Sequence, residues 1–346
     1  MIDWIEDDLA VFAALAEQLA DAPSLSQMGA LGLADLCVPE AEGGAGQGVP
    51  ALACVLEVVA QSDAGIAAAL YGHGAARLAW QASGEPDDAG EPLASGLWWG
   101  WPGFHDIGRH DWPHIDSEGR VSGELQACLL GAVADVVVCP VQGPQGRLML
   151  FRFSVHQPGV RRQVDVRFMG LRAAGIAHLA LDRVSGHCQR QCIDADCGPL
   201  QAQLAVAVMA MLCGLMRASL QTAQAYAVER HQGGGPLLGW GEVRRLLAVQ
   251  HERLLQAQAA LSAALRALDS PMMDAPQRAA RARALLLQTG QAATALAMDG
   301  VQLLGGNGYM EDYAQAQRLR DAWQLQGLMG PAAQRRQDLL GLCLID

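Results

Sequence analysis

His187, Cys188, Cys192 and Cys197 have side chains that bind zinc, imidazole and thiolate being its common protein ligands. Their spacing argues against it. Intervals of three and four residues between the cysteines, with no second compact pair, differ from the paired C-x2-C arrangement of a zinc site. The segment reads as a connecting loop, and no metal is expected. Arg161-Arg162 and the run from Arg278 to Arg283 could meet phosphates, yet such residues more often form a solvated helix or loop face. His73 lies in an apolar helical stretch and reads as a buried, hydrogen-bonded histidine rather than a ligand. Glu57 closes the apolar run Ala51–Val59 and is expected to be buried with its polar needs met.

The elements that must position these residues follow from composition. Hydrophobic residues make up 51% and aromatics only 5% of 346 residues, so helices rich in alanine and leucine are the expected core. The balance of 24 basic against 36 acidic residues, −12 formally, excludes nucleic acid as the main partner. Every basic residue is arginine. No apolar run of about 18 residues stands out, so no membrane-spanning helix is expected. The acidic start Met1–Asp8 is unlike a signal peptide. A cytoplasmic protein with nine free thiols is the expectation.

The chain divides into three parts. Residues 1–91 read as helices, with a glycine-rich loop from Cys37 and a breaker at 84–92. Residues 92–195 hold short runs such as Asp135–Cys139 and Leu148–Phe153 between turn signals, which suits an antiparallel sheet or barrel. Residues 196–346 return to long helices. The one from about Leu200 to Glu229 has so few charges that it should be buried nearly all round. Ala293, Leu296, Ala297, Gly300, Val301 and Leu304 mark a single helical face. Long helices joined by short loops predict a four-helix bundle, giving an α+β protein with a helical domain, a β-barrel-like domain and a helical bundle. Apolar outer faces on that bundle predict an oligomer.

Four motifs resemble the acyl-CoA dehydrogenase family, in the family's order. Val38-Pro-Glu-Ala-Glu-Gly-Gly-Ala-Gly46 is similar to its V-P-E-x-x-G-G-x-G loop, and Met169-Gly-Leu-Arg172 to its M-G-x-R. Tyr226-Ala-Val-Glu-Arg-His-Gln232 with Pro236-Leu237 resembles Y-A-x-x-R-x-Q-F-G-x-P-L. Gln302-Leu-Leu-Gly-Gly-Asn-Gly-Tyr309, followed by Arg318-Leu-Arg-Asp-Ala322, resembles Q-x-x-G-G-x-G-[YF] and R-x-x-R-D-A. The resemblance implies the acyl-CoA dehydrogenase fold and FAD as cofactor. It also implies a reaction in which a glutamate takes the α-proton of an acyl-CoA thioester while hydride passes from Cβ to the flavin.

Against that implied chemistry the sequence departs at defined positions. The family's base lies in a Y-E-G-T stretch, which here reads Leu328-Met-Gly-Pro331, so Met329 holds the base position. A minority of the family carries the base on the first bundle helix, at the position of Leu204. Neither side chain accepts a proton. Glu311 and Asp312 match positions that the family keeps outside the pocket. The T-E-P-G-x-G-S-D loop appears as Gly100-Trp-Pro-Gly-Phe-His105, and the [WF]-I-T-N strand as Ala127-Cys-Leu-Leu130. Ala127 and Leu129 therefore stand where a flavin-covering aromatic and a flavin-bonding threonine belong. Trp98, Trp99, Trp101 and Phe104 crowd the region, either as a lid over a ligand or, the reading preferred here, as filling for a vacated pocket.

A second set of family contacts persists. In the family, a neighbouring subunit reaches the pyrophosphate and adenosine end of FAD with an arginine and the Q-x-x-G-G segment. Arg230, Gln302, Gly305 and Gly306 match these positions. The resemblance thus implies a non-catalytic subunit of a heteromeric FAD-dependent acyl-CoA dehydrogenase, sharing FAD with an intact subunit. Some bacterial enzymes of the family that act on large or steroid side-chain CoA esters are built this way. The alternative is a self-sufficient dehydrogenase, or a flavin-dependent oxygenase, with a relocated base.

Overall fold

Alanine- and leucine-rich stretches become helices in the computed structural model, which describes residues 10–18, 24–82, 97–105, 111–164, 167–189 and 197–343. The breaker at 84–92, the divisions placed at 91/92 and 195/196, and Cys192 lie outside the described residues. The first helices are α1 (Ala10–Glu17), α2 (Leu25–Ala30), α3 (Gly48–Ser62) and α4 (Ala64–Ala82). α3 and α4 are buried along almost their whole length, because small and aliphatic side chains occupy every face. Asp63 separates them and caps α4, accepting from the N–H groups of Gly65 and Ile66.

One sheet follows, with β1 (Trp99–Gly100), β2 (His114–Ile115), β3 (Val121–Cys128), β4 (Val136–Gln142), β5 (Leu148–Ser154), β6 (Val160–Gln163), β7 (Ala177–Val184) and β8 (His187–Cys188). Its order is β6-β7-β3-β2-β4-β5-β8, with β1 against β4. The pairing is not purely antiparallel: β4 lies parallel to both β1 and β2. β7 alternates, turning Ala177, Leu179 and Leu181 into the core, whereas β4 is buried on both faces from Val136 to Val141.

The C-terminal part consists of α5 (Gly198–Glu229), a hairpin of β9 (His231–Gln232) and β10 (Gly235–Pro236), α6 (Gly241–Leu268), α7 (Ala275–Leu304), α8 (Gln315–Leu325) and α9 (Ala332–Cys343). α5 is the central rod, packed against α3, α6 and α7. Where Gly214 faces α3, a Cβ would lie 2.1 Å from the carbonyl of Glu57, so only glycine lets these backbones meet. Glu57 is fully buried there and pairs with Arg217 at 3.3 Å. α7 starts at a capping box between Asp274 and Gln277.

Two expectations are corrected here. By length and composition α5 does qualify as a membrane-crossing helix, with a mean hydropathy of 1.7 over 18 residues. That window is 89% buried inside the fold, so α5 is a core helix. Its all-round burial also ends near Leu220: Ala223 and Ala227 stay buried, but Gln221, Gln224 and Val228 are exposed. The apolar half is covered by this chain's own helices, so α5 by itself gives no reason for oligomerisation.

Candidate functional site

Met329 and Leu204 come from opposite ends of the bundle sequence and meet on one cavity, together with Trp101, Gly103, His105, Gln201 and Arg283. The cavity measures about 10 Å³. That is room for a single water molecule. Small-molecule sites typically span about 300–1,000 Å³. Met329 is held in left-handed backbone geometry (φ +64°), and its N–H donates to the Gly103 carbonyl at 2.7 Å. A non-glycine residue there costs roughly 1–2 kcal/mol. The turn that aims residue 329 inward is therefore built, while the side chain it aims has no proton acceptor.

The wall opposite is closed by aromatic and aliphatic side chains. Trp101 and Leu129 exchange two backbone hydrogen bonds, of 2.8 and 3.2 Å. Leu129 is fully buried and fills the space over Gly72 and Gly103, where a Cβ would come within 2.7 Å of it. Ala127 is buried with φ +53°, and its N–H donates to His178 Nδ1. Trp99 and Trp101 lie inside the core, and Trp99 is flanked by the guanidinium of Arg77 at 4.4 Å from its ring centre. Phe104 stacks on Phe168. Trp98 packs edge-on against His73.

His73 is 2% exposed and fully bonded. Its Nδ1 accepts from the Trp99 N–H, which places the proton on Nε2, facing Asp35 at 3.1 Å. Burial lowers the pKa of His73, so the imidazole is neutral, and the hydrogen bond from His73 lowers that of Asp35. The histidine thus ties α4 to β1 and to the segment before Val38.

Arg230, Gln302, Gly305 and Gly306 occupy one end of the bundle. Arg230 terminates α5 and is exposed. Gln302 lies a turn before Gly305, whose N–H donates to the Gln302 carbonyl. Asn307 Nδ2 donates to the Tyr226 hydroxyl at 3.0 Å, which holds this turn against the end of α5. Gly305 needs its glycine, with φ +57°. Gly306 does not: its φ is ordinary and a Cβ would meet nothing within 4 Å. Its bare backbone faces outward, open to approach from outside the chain. Val228, Leu238, Trp240, Tyr309 and Met310 are exposed on neighbouring parts of this end.

The remaining candidates separate. Glu311 and Asp312 are exposed and do not line the cavity. His187 and Cys188 form β8, paired with Arg152 and Phe151. Arg161 is exposed, and Arg162 donates to the Ala132 carbonyl. The arginine run from 278 to 283 is not a solvated face throughout. Arg278 donates to the carbonyls of Leu268, Ser270 and Met273, closing the α6–α7 turn. Arg283 is buried against the cavity. Arg283 was legible in principle: Ala279, Arg283, Leu286 and Gly290 follow the helical period into the stripe that continues at Ala293. Nothing in the sequence marks His105 or Gln201.

The acyl-CoA dehydrogenase N-terminal domain matches residues 3–85 and the C-terminal domain matches residues 202–339. The chain belongs to the acyl-CoA dehydrogenase family. It is 28% identical to a probable acyl-CoA dehydrogenase, YngJ, of Bacillus subtilis, over 92% of this chain and 90% of that protein. Its fold is that of butyryl-CoA dehydrogenase from Megasphaera elsdenii, with a TM-score of 0.83 at 18% identity, covering 98% of this chain and 99% of that one. It also matches a variant of the Tcur3481-Tcur3483 steroid acyl-CoA dehydrogenase, with a TM-score of 0.77 at 20% identity, covering 97% and 98%.

Proposed function

We propose that this chain is the non-catalytic subunit of a heteromeric acyl-CoA dehydrogenase. An intact subunit would supply the base and hold the flavin ring. This chain would lend Arg230, Gln302, Gly305 and Gly306 to the diphosphate end of that subunit's FAD. The observation that carries the reading is the shared cavity, where both family base positions hold side chains that cannot take a proton. The space of about 10 Å³ beside those two positions does not fit a three-ring flavin, so no step is assigned to FAD there.

Support for the lending role is chemical. Arg230 is exposed, with no hydrogen bond or ion pair from its guanidinium among the described residues. A planar guanidinium beside unshielded backbone amides suits a diphosphate. Gly306 meets no packing or backbone demand of its own chain, which is what an approach by a second molecule would require. The steroid enzyme among the structural matches is named for two components, a precedent for paired chains on this fold.

The test is to co-express the chain with an intact, glutamate-bearing family member and titrate FAD. Arg230→Ala should lower the affinity of the complex for FAD by about one to two decades, the worth of a charge-assisted bond of about 1.5–3 kcal/mol. The variant chain should fold as before. Unchanged FAD affinity in an intact heteromer would refute the lending role.

A further inference from the structure

The loop from Gly170 to Gly175 is where sheet, first helices and bundle meet. On the sheet side, the carbonyls of Ala174 and Gly175 accept from Leu130 and Ala132. On the helical side, Ala173 sits against the start of α4, so close that a Cβ on Gly65 would lie 2.8 Å from its nitrogen. On the bundle side, two side chains of α8 hold the loop. Asp321 Oδ1 accepts from the Leu171 N–H at 2.6 Å, and Gln324 Oε1 accepts from the Gly170 N–H at 2.7 Å. The approach is tight: a Cβ on Gly170 would fall 2.6 Å from the Arg320 carbonyl. Leu171 is buried in left-handed geometry (φ +49°), a conformation a branched side chain adopts only when its surroundings impose it.

We propose that Asp321 is a proton-operated latch between the Gly170–Gly175 loop and α8, closed most firmly when its carboxyl is protonated. Asp321 is 5% exposed, and its Oδ1 also accepts from Gln317 at 2.7 Å. Protonation on Oδ2 leaves both bonds in place and removes a buried charge. Ionisation keeps the bonds but places the charge where water is excluded and where Asp63, at the α3–α4 junction, repels it. The hydrogen bonds from Leu171 and Gln317 favour the charged form and oppose that cost in part, with a smaller contribution from Arg320 on α8. α4, α5 and α7 also pack on α8, and the charged group beyond α8 that acts on Asp321 is Asp63, at the start of α4. Burial is the leading cause and raises the carboxyl to about 6. α8 runs directly into the segment 326–331, so the latch sits one turn from the wall that carries Met329.

The experiment is amide hydrogen exchange at Gly170 and Leu171 in the full chain, from about pH 5 to about pH 8, corrected for intrinsic exchange. Protection should fall as pH rises through about 6, by roughly tenfold across this window. In Asp321→Asn, which keeps an acceptor but cannot titrate, protection should not change with pH. Equal pH dependence in both proteins overturns the latch. Should the variant fail to fold, carboxyl-carbon NMR of the wild-type chain decides. A midpoint for Asp321 near 6, tracked by the Leu171 amide, supports it; one near the ordinary aspartate value of about 4 overturns it.

Discussion

A carboxylate placed at position 329 would enter a closed space. The turn aims the side chain at a cavity of about 10 Å³, between Leu204 and Trp101. Arg283 is on the same wall but already has an interaction of its own. Met329→Glu is therefore expected to lose about 1–3 kcal/mol of stability, read as a lower melting temperature, and to gain no acyl-CoA turnover by dye reduction. Any dehydrogenation by that variant would contradict the filled-site account. A second residue-scale outcome concerns His73→Ala, which strands the Trp99 N–H and the Asp35 carboxylate and should cost about 1–3 kcal/mol in denaturant unfolding. The sequence made His73 legible as a buried histidine, because an apolar helix surrounds it. Its partners were not legible, since Asp35 and Trp99 lie 38 and 26 residues away. The same limit hid His105, whose place depends on a carbonyl of Gln126 across a sheet.

Among the elements, the long helices were readable because their period persists over many residues, as in the stripe from Ala293 through Leu304. The sheet was less so. β1 and β2 are two residues each, too short to carry a period, and their parallel pairing with β4 is set by tertiary contacts. The close approach of α3 and α5 rests on Gly214, and Gly214→Ala should cost about 1–3 kcal/mol through overpacking against the Glu57 carbonyl. Chemical denaturation checks it. Asp321 predicts the pH profile. Its folded pKa of about 6 lies above the ordinary aspartate value of 3.8. The stabilisation is full below about pH 4 and is lost as pH rises through 6, by up to about 3 kcal/mol. Between pH 5 and pH 8 the wild-type melting temperature should fall further than that of Asp321→Asn.

At the scale of the whole molecule, the chain has the architecture of an acyl-CoA dehydrogenase and a packed interior where that fold places chemistry. The motifs that made the family legible are mostly structural. Gly170 admits the Arg320 carbonyl, Asp321 holds Leu171, and Gly308 presses on Val301. Such residues persist when chemistry does not, because each answers a packing or hydrogen-bonding need of the fold. The exposed Arg230 side chain and Gly306 answer no such need among the described residues, and the proposed role assigns them to a partner. The measurement that bears most directly on this account is the flavin content of the chain purified alone and with an intact family member. The account predicts a colourless single chain and a yellow complex with flavin bound in proportion to the intact subunit. A single chain that purifies yellow, with about one flavin per polypeptide, would contradict it.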